Sequence, residues 1–305
     1  MGLIVTELSK AFAGKTAVDR LSFEIAKPGV FGLIGTNGAG KTTTIRMILG
    51  ILPADSGTAE WNGQKISRET VRFGYMPEER GLYMKTKTLE QLVYFGELHG
   101  MTRRDATAEA HRLCERLGIT EYLDMTAEKL SKGNQQKLQL AVTLTHRPEL
   151  IFLDEPFSGL DPLNAEVLNS LIHELVDDGC SIVMSSHMME TVEKYCENLV
   201  ILHRGHSILQ GNLRRIKDNY GRTNLIIGAD ADLSAYASCS GAVLVEERAE
   251  ESEYKIETEA VAHRLLQTLL QNGIYPYKYE LRAPSLHEIF IEKSLAAQQS
   301  DRDPD

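Results

Sequence analysis

The sequence predicts an α/β domain built around a phosphate-binding loop, followed by a small α+β unit. Three observations predict it. Gly35-Thr36-Asn37-Gly38-Ala39-Gly40-Lys41-Thr42 fits G-x-x-x-x-G-K-[ST], a loop whose backbone N–H groups cradle phosphates. Leu150–Leu153 and Ser181–Ser185 are short apolar runs with a helical stretch, Leu163 to Asp177, between them; this is a βαβ crossover and implies parallel strands. Near Asn212 to Arg222 the pattern changes to β-α-β-β-α-β, a split-βαβ unit. The 305 residues suit about two domains at ~150 residues each.

Residues 3–8 and 20–34 alternate apolar and polar side chains, and Val30–Ile34 is a buried strand that feeds the loop. Ile45, Met47, Ile48 and Leu49 give Lys41 to Leu49 a helix, closed by Gly50 and Pro53. A strand before and a helix after is the setting a working phosphate loop requires, and a chance glycine-rich turn lacks it. Residues 88–147 are mainly helical, with Leu89, Leu92, Val93 and Leu98, then Leu113, Leu117 and Leu123, at helical spacing. Asn198–His203 and Ser207–Gln210 form a hairpin about Arg204-Gly205. The C-terminal strands fall at Asn224–Ile227, Ala242–Glu246, Tyr254–Glu257 and Tyr277–Leu281, with a long helix over about Val261–Gln271. Ser285-Leu286-His287-Glu288 is a capping box for a final helix, and the polar, acidic residues 298–305 form a disordered tail.

Net charge is −10, and it is uneven: from Arg222 onward stand 8 Lys and Arg against 15 Asp and Glu. A nucleic-acid binder shows a basic face, so no nucleic acid is expected as a partner. Cys114, Cys180, Cys196 and Cys239 are scattered without a C-x-x-C pair and fit reduced, intracellular thiols. The first residues lack a basic region and a long apolar core, so they do not form a signal peptide. No apolar run approaches the ~20 residues that cross a bilayer.

A second anion site is visible in Leu130-Ser131-Lys132-Gly133-Asn134-Gln135-Gln136-Lys137, where a Ser-Lys-Gly turn opens a polar helix and offers free N–H groups. Two phosphate-seeking surfaces on one small domain place each nucleotide between two copies. Further on come Leu150-Ile151-Phe152-Leu153-Asp154-Glu155-Pro156, Ser158-Gly159-Leu160-Asp161 and His187. In this set and order the chain resembles the ATP-binding subunits of ABC transporters. Gly35 to Thr42 match the family's Walker A loop, Leu130 to Gln136 its signature, and Leu150 to Glu155 its Walker B strand with the following glutamate. Ser158 to Asp161 match the D-loop and His187 the switch histidine.

The resemblance implies an ABC ATPase domain over about 1–215, with a helical subdomain at about 86–147, and an accessory α+β domain at 222–297. It implies ATP and Mg²⁺, a separate polytopic membrane permease subunit that holds the pore, and a dimer with itself or a paralogous ATPase subunit. It also implies a cytoplasmic protein, peripheral on the inner face of the cell membrane. Lys41 would bridge the β- and γ-phosphates, with backbone N–H groups of Gly38, Gly40, Lys41 and Thr42 around them. Thr43 would lie near the α- and β-phosphates. Thr42 and Asp154 would hold Mg²⁺. Glu155 would orient and deprotonate the attacking water, and His187 would donate to the γ-phosphate and hold Glu155. Ser131, Gly133 and Asp161 would meet nucleotide bound by the opposite subunit.

Some positions depart from the family pattern or carry two readings. Lys132 and Asn134 stand where glycine and glutamine are common, and Lys132 either strengthens closure on ATP or faces solvent. Glu78 takes the place of the Q-loop glutamine, and serves the water and Mg²⁺ or grips the permease with its neighbours. Phe12 matches the aromatic that stacks on the base, or is core. Pro77-Glu78-Glu79-Arg80-Gly81 and the ending Pro284-Ser285-Leu286-His287-Glu288-Ile289-Phe290 resemble bacterial exporter ATPases of the drug-resistance and sodium-extrusion type. The alternative is a soluble ABC-type mechanical module on ribosomes or DNA. Its ribosomal forms carry tandem ATP units and its DNA forms long coiled coils, and this chain has neither. A GTPase or small-molecule kinase is disfavoured because no N-K-x-D motif appears.

Overall fold

Ala13 and Gly14, both with positive φ, make a two-residue turn that folds β1 (Leu3–Phe12) back onto β2 (Lys15–Ile25), with Phe12 opposite Lys15. The computed structural model describes residues 2–79, 81–248 and 250–300, the side chains of 298–300 excepted. It divides into two compact units, Met1–Gln210 and Gly211–Asp305.

In the first unit the alternating stretch 20–34 belongs to two sheets, because the chain turns after Ile25 and re-enters as β3 (Gly29–Gly35). The phosphate loop and α1 (Lys41–Ile48) follow, then β4 (Ser56–Trp61), β5 (Gln64–Lys65) and β6 (Phe73–Met76). These last strands are short and mostly polar or only partly buried, and their sequence carries little period. The helical segment is α2 (Thr88–Leu98), α3 (Arg103–Arg116) and α4 (Lys132–Leu144), with 3₁₀ turns at Thr120–Tyr122 and Ala127–Lys129. After it come β7 (Leu150–Asp154), α5 (Pro162–Asp177), β8 (Ser181–Ser186), α6 (Met189–Tyr195), β9 (Asn198–His203) and β10 (His206–Asn212).

The antiparallel sheet has the order β2-β1-β4-β5, and the second sheet has the order β10-β9-β3-β8-β7-β6. From β9 to β6 the pairing of the second sheet is parallel, so the carboxyl ends of β3, β7 and β8 lie at one edge. Ile45, Met47 and Ile48 of α1 pack in one apolar cluster with β3 and with Leu3, Val5 and Phe23 of the antiparallel sheet. Phe23 stacks on Phe31 across that layer at 4.7 Å.

The second unit contains α7 (Leu213–Tyr220), β11 (Asn224–Gly228), α8 (Ser234–Ser240), β12 (Val243–Glu247), β13 (Ser252–Lys255), α9 (Glu259–Gln271), β14 (Lys278–Arg282) and α10 (Leu286–Ser300). Its sheet order, β12-β13-β11-β14, is antiparallel throughout and is the split-βαβ arrangement the sequence predicts. The strands fall within a residue or two of the expected ones. The capping box is present: the Ser285 N–H donates to Glu288 Oε2 at 2.7 Å and the Glu288 N–H to Ser285 Oγ at 3.2 Å. Helix α10 runs through residues 298–300, where the tail was expected to be disordered, and 301–305 lie outside the described residues. No helix among the described residues is long and apolar enough to cross a membrane.

Candidate nucleotide-binding site

Gly35 ends β3, and Thr36, Asn37, Gly38, Ala39 and Gly40 form the loop that enters α1, whose first residues are Lys41, Thr42 and Thr43. Gly40 caps the helix with φ 109°, and a Cβ there would sit 2.4 Å from the Ala17 carbonyl oxygen, so only glycine fits. The turn after β9 braces the loop from outside, with the Gly205 N–H donating to the Ala39 carbonyl at 3.1 Å. The loop and the first turn of α1 thus stand at the carboxyl end of β3, a helix N-terminus of the kind that binds anions.

Lys41 is buried. Its Nζ donates to the Gly35 carbonyl at 2.8 Å and lies 3.2 Å from Glu155 Oε1. Oε1 has this ionic contact but no hydrogen bond, and so keeps acceptor capacity inside the site. The other oxygen, Oε2, lies 2.9 Å from His187 Nδ1. Asp154, the last residue of β7, accepts the Thr42 hydroxyl on Oδ2 at 2.7 Å. Its Oδ1 accepts the Ser185 hydroxyl from β8. Glu155 has φ 53°, left-handed backbone that costs a non-glycine residue about 1–2 kcal/mol, and its N–H is tied to Ser185. Lys41, Thr42, Asp154, Glu155 and His187 are therefore joined in one chain of contacts.

A second group gathers beside it. Ser131 caps α4, accepting the Asn134 N–H at 3.3 Å, and Asp161 caps α5, accepting the Asn164 N–H at 2.9 Å. Gly133 faces Asn164, and a Cβ there would lie 3.0 Å from Asn164 Nδ2. Gln136 donates to the Pro156 carbonyl at 2.5 Å and links this group to the segment just past Glu155. The Asn164 N–H holds the Asp161 carboxyl below the usual carboxylate range.

Phe12 is 47% exposed at the end of β1, with Lys10 Nζ 5.7 Å from its ring, so the core reading of Phe12 is overturned. Lys132 is exposed. Glu78 is exposed just past β6, outside the contacts that join Lys41, Asp154, Glu155 and His187. The Gln139 side chain holds the preceding Pro77 carbonyl at 2.7 Å. Sequence reasoning passed over Ser185, Asn164 and Gln139. For Ser185 the available signal was a hydroxyl closing the apolar run Ile182-Val183-Met184 two residues before His187.

A phosphate loop at the carboxyl edge of a parallel sheet, with a helical subdomain set between it and the Walker B strand, is the architecture of an ABC ATPase. Residues 18–158 match the family described as ABC transporter, and residues 211–294 match the ATP-binding protein DrrA1-3-like, C-terminal domain. An uncharacterized ABC transporter ATP-binding protein of Bacillus subtilis, YhaQ, is 45% identical over 292 residues, covering 95% of this chain and 98% of its own length. The linearmycin resistance ATP-binding protein LnrL of the same organism is 31% identical over 296 residues, covering 93% and 95%. A solved ATP-binding subunit of an ABC transporter superposes with TM-score 0.67 at 30% identity, covering 72% of this chain and 94% of that one. The chain belongs to the ATP-binding subunits of ABC transporters. It binds ATP, and its family hydrolyses it.

Proposed function

We propose that this chain is the ATP-hydrolysing subunit of an exporter and that it drives a separate polytopic membrane permease from the cytoplasmic face of the cell membrane. Two chains, identical or paralogous, trap ATP at their seam, close, hydrolyse it and reopen. The observation that carries the reading is the continuous contact from Lys41 through Glu155 to His187, with Asp154 and Thr42 alongside. The similarity to a resistance protein along nearly its whole length favours export. The ribosome or DNA module is set aside, because the relatives similar over nearly the whole chain are named as ABC transporter or resistance ATP-binding proteins.

In this reading Lys41 leaves Glu155 for the β- and γ-phosphates and neutralises charge there as a point cation. Glu155 takes the proton of a water aligned with the γ-phosphorus. A bond from that water's oxygen to phosphorus forms, and the bond to the β–γ bridging oxygen breaks, its electron pair leaving on ADP. His187 keeps Glu155 turned toward the water and donates to the γ-phosphate. Thr42 and Asp154 offer hydroxyl and carboxylate oxygens, hard donors that fit Mg²⁺ held jointly with substrate phosphates. Such an ion, when bound, supplies charge neutralisation across the β- and γ-phosphates. The Ser131 and Gly133 N-terminus of the partner's α4 closes on the γ-phosphate.

Glu155→Gln tests the reading. Hydrolysis should fall at least ~10²-fold, the scale of general-base loss, while ATP still binds and a dimer accumulates on size-exclusion chromatography. Turnover near that of the unaltered chain would remove Glu155 as the base.

A further inference from the structure

We propose that Ser185 is the positioning residue of the hydrolytic centre, setting both acidic residues of the Walker B end through one oxygen atom. The inference rests on the roles of Asp154 and Glu155 proposed above. Ser185 is wholly buried in β8 and lies directly opposite Asp154 in the parallel pairing of β7 and β8. A hydroxyl has one proton to donate and lone pairs to accept with. Here the proton goes to Asp154 Oδ1, and the same oxygen accepts the Glu155 N–H at 3.1 Å.

Each bond has a consequence for the chemistry. With Oδ1 occupied from the β8 side and Oδ2 held by Thr42 at 2.7 Å, the Asp154 carboxylate is fixed by two hydroxyls from two elements. It cannot rotate, and one defined oxygen meets the phosphate loop. Glu155 leaves the strand with φ 53°, a conformation that persists only where the surroundings over-determine it. The bond from Ser185 Oγ supplies that determination, aided by the Ser185 carbonyl at 3.3 Å. The kink lets the Glu155 carboxylate reach both Lys41 and His187. The next residue continues the device: Ser186 Oγ accepts the Met188 N–H at 3.0 Å and closes a tight turn around His187. Alanine at 185 would keep the strand and lose both bonds of the Ser185 hydroxyl, to Asp154 and from the Glu155 N–H, whereas threonine would retain the oxygen.

The experiment compares Ser185→Ala and Ser185→Thr in the full chain, with Glu155→Gln beside them. Ser185→Ala should lower kcat roughly 10–100-fold and raise the Mg²⁺ concentration for half-maximal hydrolysis about tenfold, the range seen when a ligand's supporting partner is removed. ATP affinity measured in EDTA should stay unchanged. The Glu155 amide of the nucleotide-free chain should exchange with solvent at least about tenfold faster, a readout that needs neither metal nor turnover. Ser185→Thr should restore all three. Should the alanine variant not fold, Ser185→Cys, close in volume and a weak donor, gives the same measurements with an intermediate loss expected. A Ser185→Ala chain with unaltered kcat, Mg²⁺ requirement and Glu155 exchange overturns the proposal. Full activity in Glu155→Gln instead overturns the reading beneath it.

Discussion

Lys41 Nζ lies 3.2 Å from Glu155 Oε1, with side chains only 7% and 5% exposed. The phosphate-seeking cation and the proposed base thus neutralise each other inside the site. Burying either charge alone is costly, because water no longer solvates it and the partner is gone. In the proposed cycle ATP offers Lys41 a better anion than Glu155 and, in drawing it away, frees the carboxylate for water.

Replacing Lys41 by Ala should therefore do two things. It should abolish ATP binding at concentrations that saturate the unaltered chain, and it should destabilise the first unit by about 3 kcal/mol, the low end for breaking a buried pair. Adding Glu155→Gln should recover most of that stability, a coupling that urea unfolding followed by Trp61 fluorescence measures as a double-mutant cycle. Strict additivity of the two changes would show the pair to be energetically silent.

His146 follows α4 and stacks on His99, ring centroids 3.8 Å apart and 10° from parallel. Its Nε2 lies 2.9 Å from the Phe73 carbonyl, which fits the neutral tautomer with the proton on that nitrogen. Burial, with the neighbouring His99 adding to it, pushes its pKa down to about 4. The folded value is below the ordinary 6.5, so the unfolded chain binds the proton first. Stability is full above pH 6.5 and is lost as the pH falls toward 4. At pH 4 the loss should be roughly 3 kcal/mol beyond that of His146→Gln, which keeps a donor for Phe73 and has no proton to gain. Trp61 unfolding curves at pH 7, 5.5 and 4 check it, and parallel losses in both chains would count against it.

Much of the site is legible because its chemistry forces particular residues into short, local patterns. The phosphate loop needs Gly38 and Gly40 with Lys41 beside them, and Asp154 and Glu155 stand out at the end of a wholly apolar strand. What is not legible depends on pairing between distant segments. Ser185 gains its role only because the β7–β8 register sets it opposite Asp154, a fact no local pattern contains. Phe12 could not be told from a core residue until the turn at Ala13-Gly14 fixed which strand end it occupies. In Ser56–Trp61 only Trp61 is fully buried, so the hydrophobic alternation that marks a strand is missing there.

Gly133 offers a test of the seam that leaves the catalytic cluster intact. It sits in the first turn of α4, where alanine would ordinarily favour the helix by about 1 kcal/mol. A Cβ at 133, however, lies 3.0 Å from Asn164 Nδ2, and that amide is held by Asp161 Oδ2 at 2.5 Å. The Asn164 side chain cannot retreat without giving up its bond to Asp161 Oδ2, so Gly133→Ala should shift the D-loop more than it shifts the fold. Stability by Trp61 fluorescence should change by less than about 1 kcal/mol. In a Glu155→Gln background the ATP-driven dimer should need at least about tenfold more protein to form, a loss of about 1.4 kcal/mol. Asn164→Ala, which clears the space, should recover part of it. A Gly133→Ala chain that dimerises as readily as its parent would show that the contact between α4 and α5 does not shape the nucleotide seam.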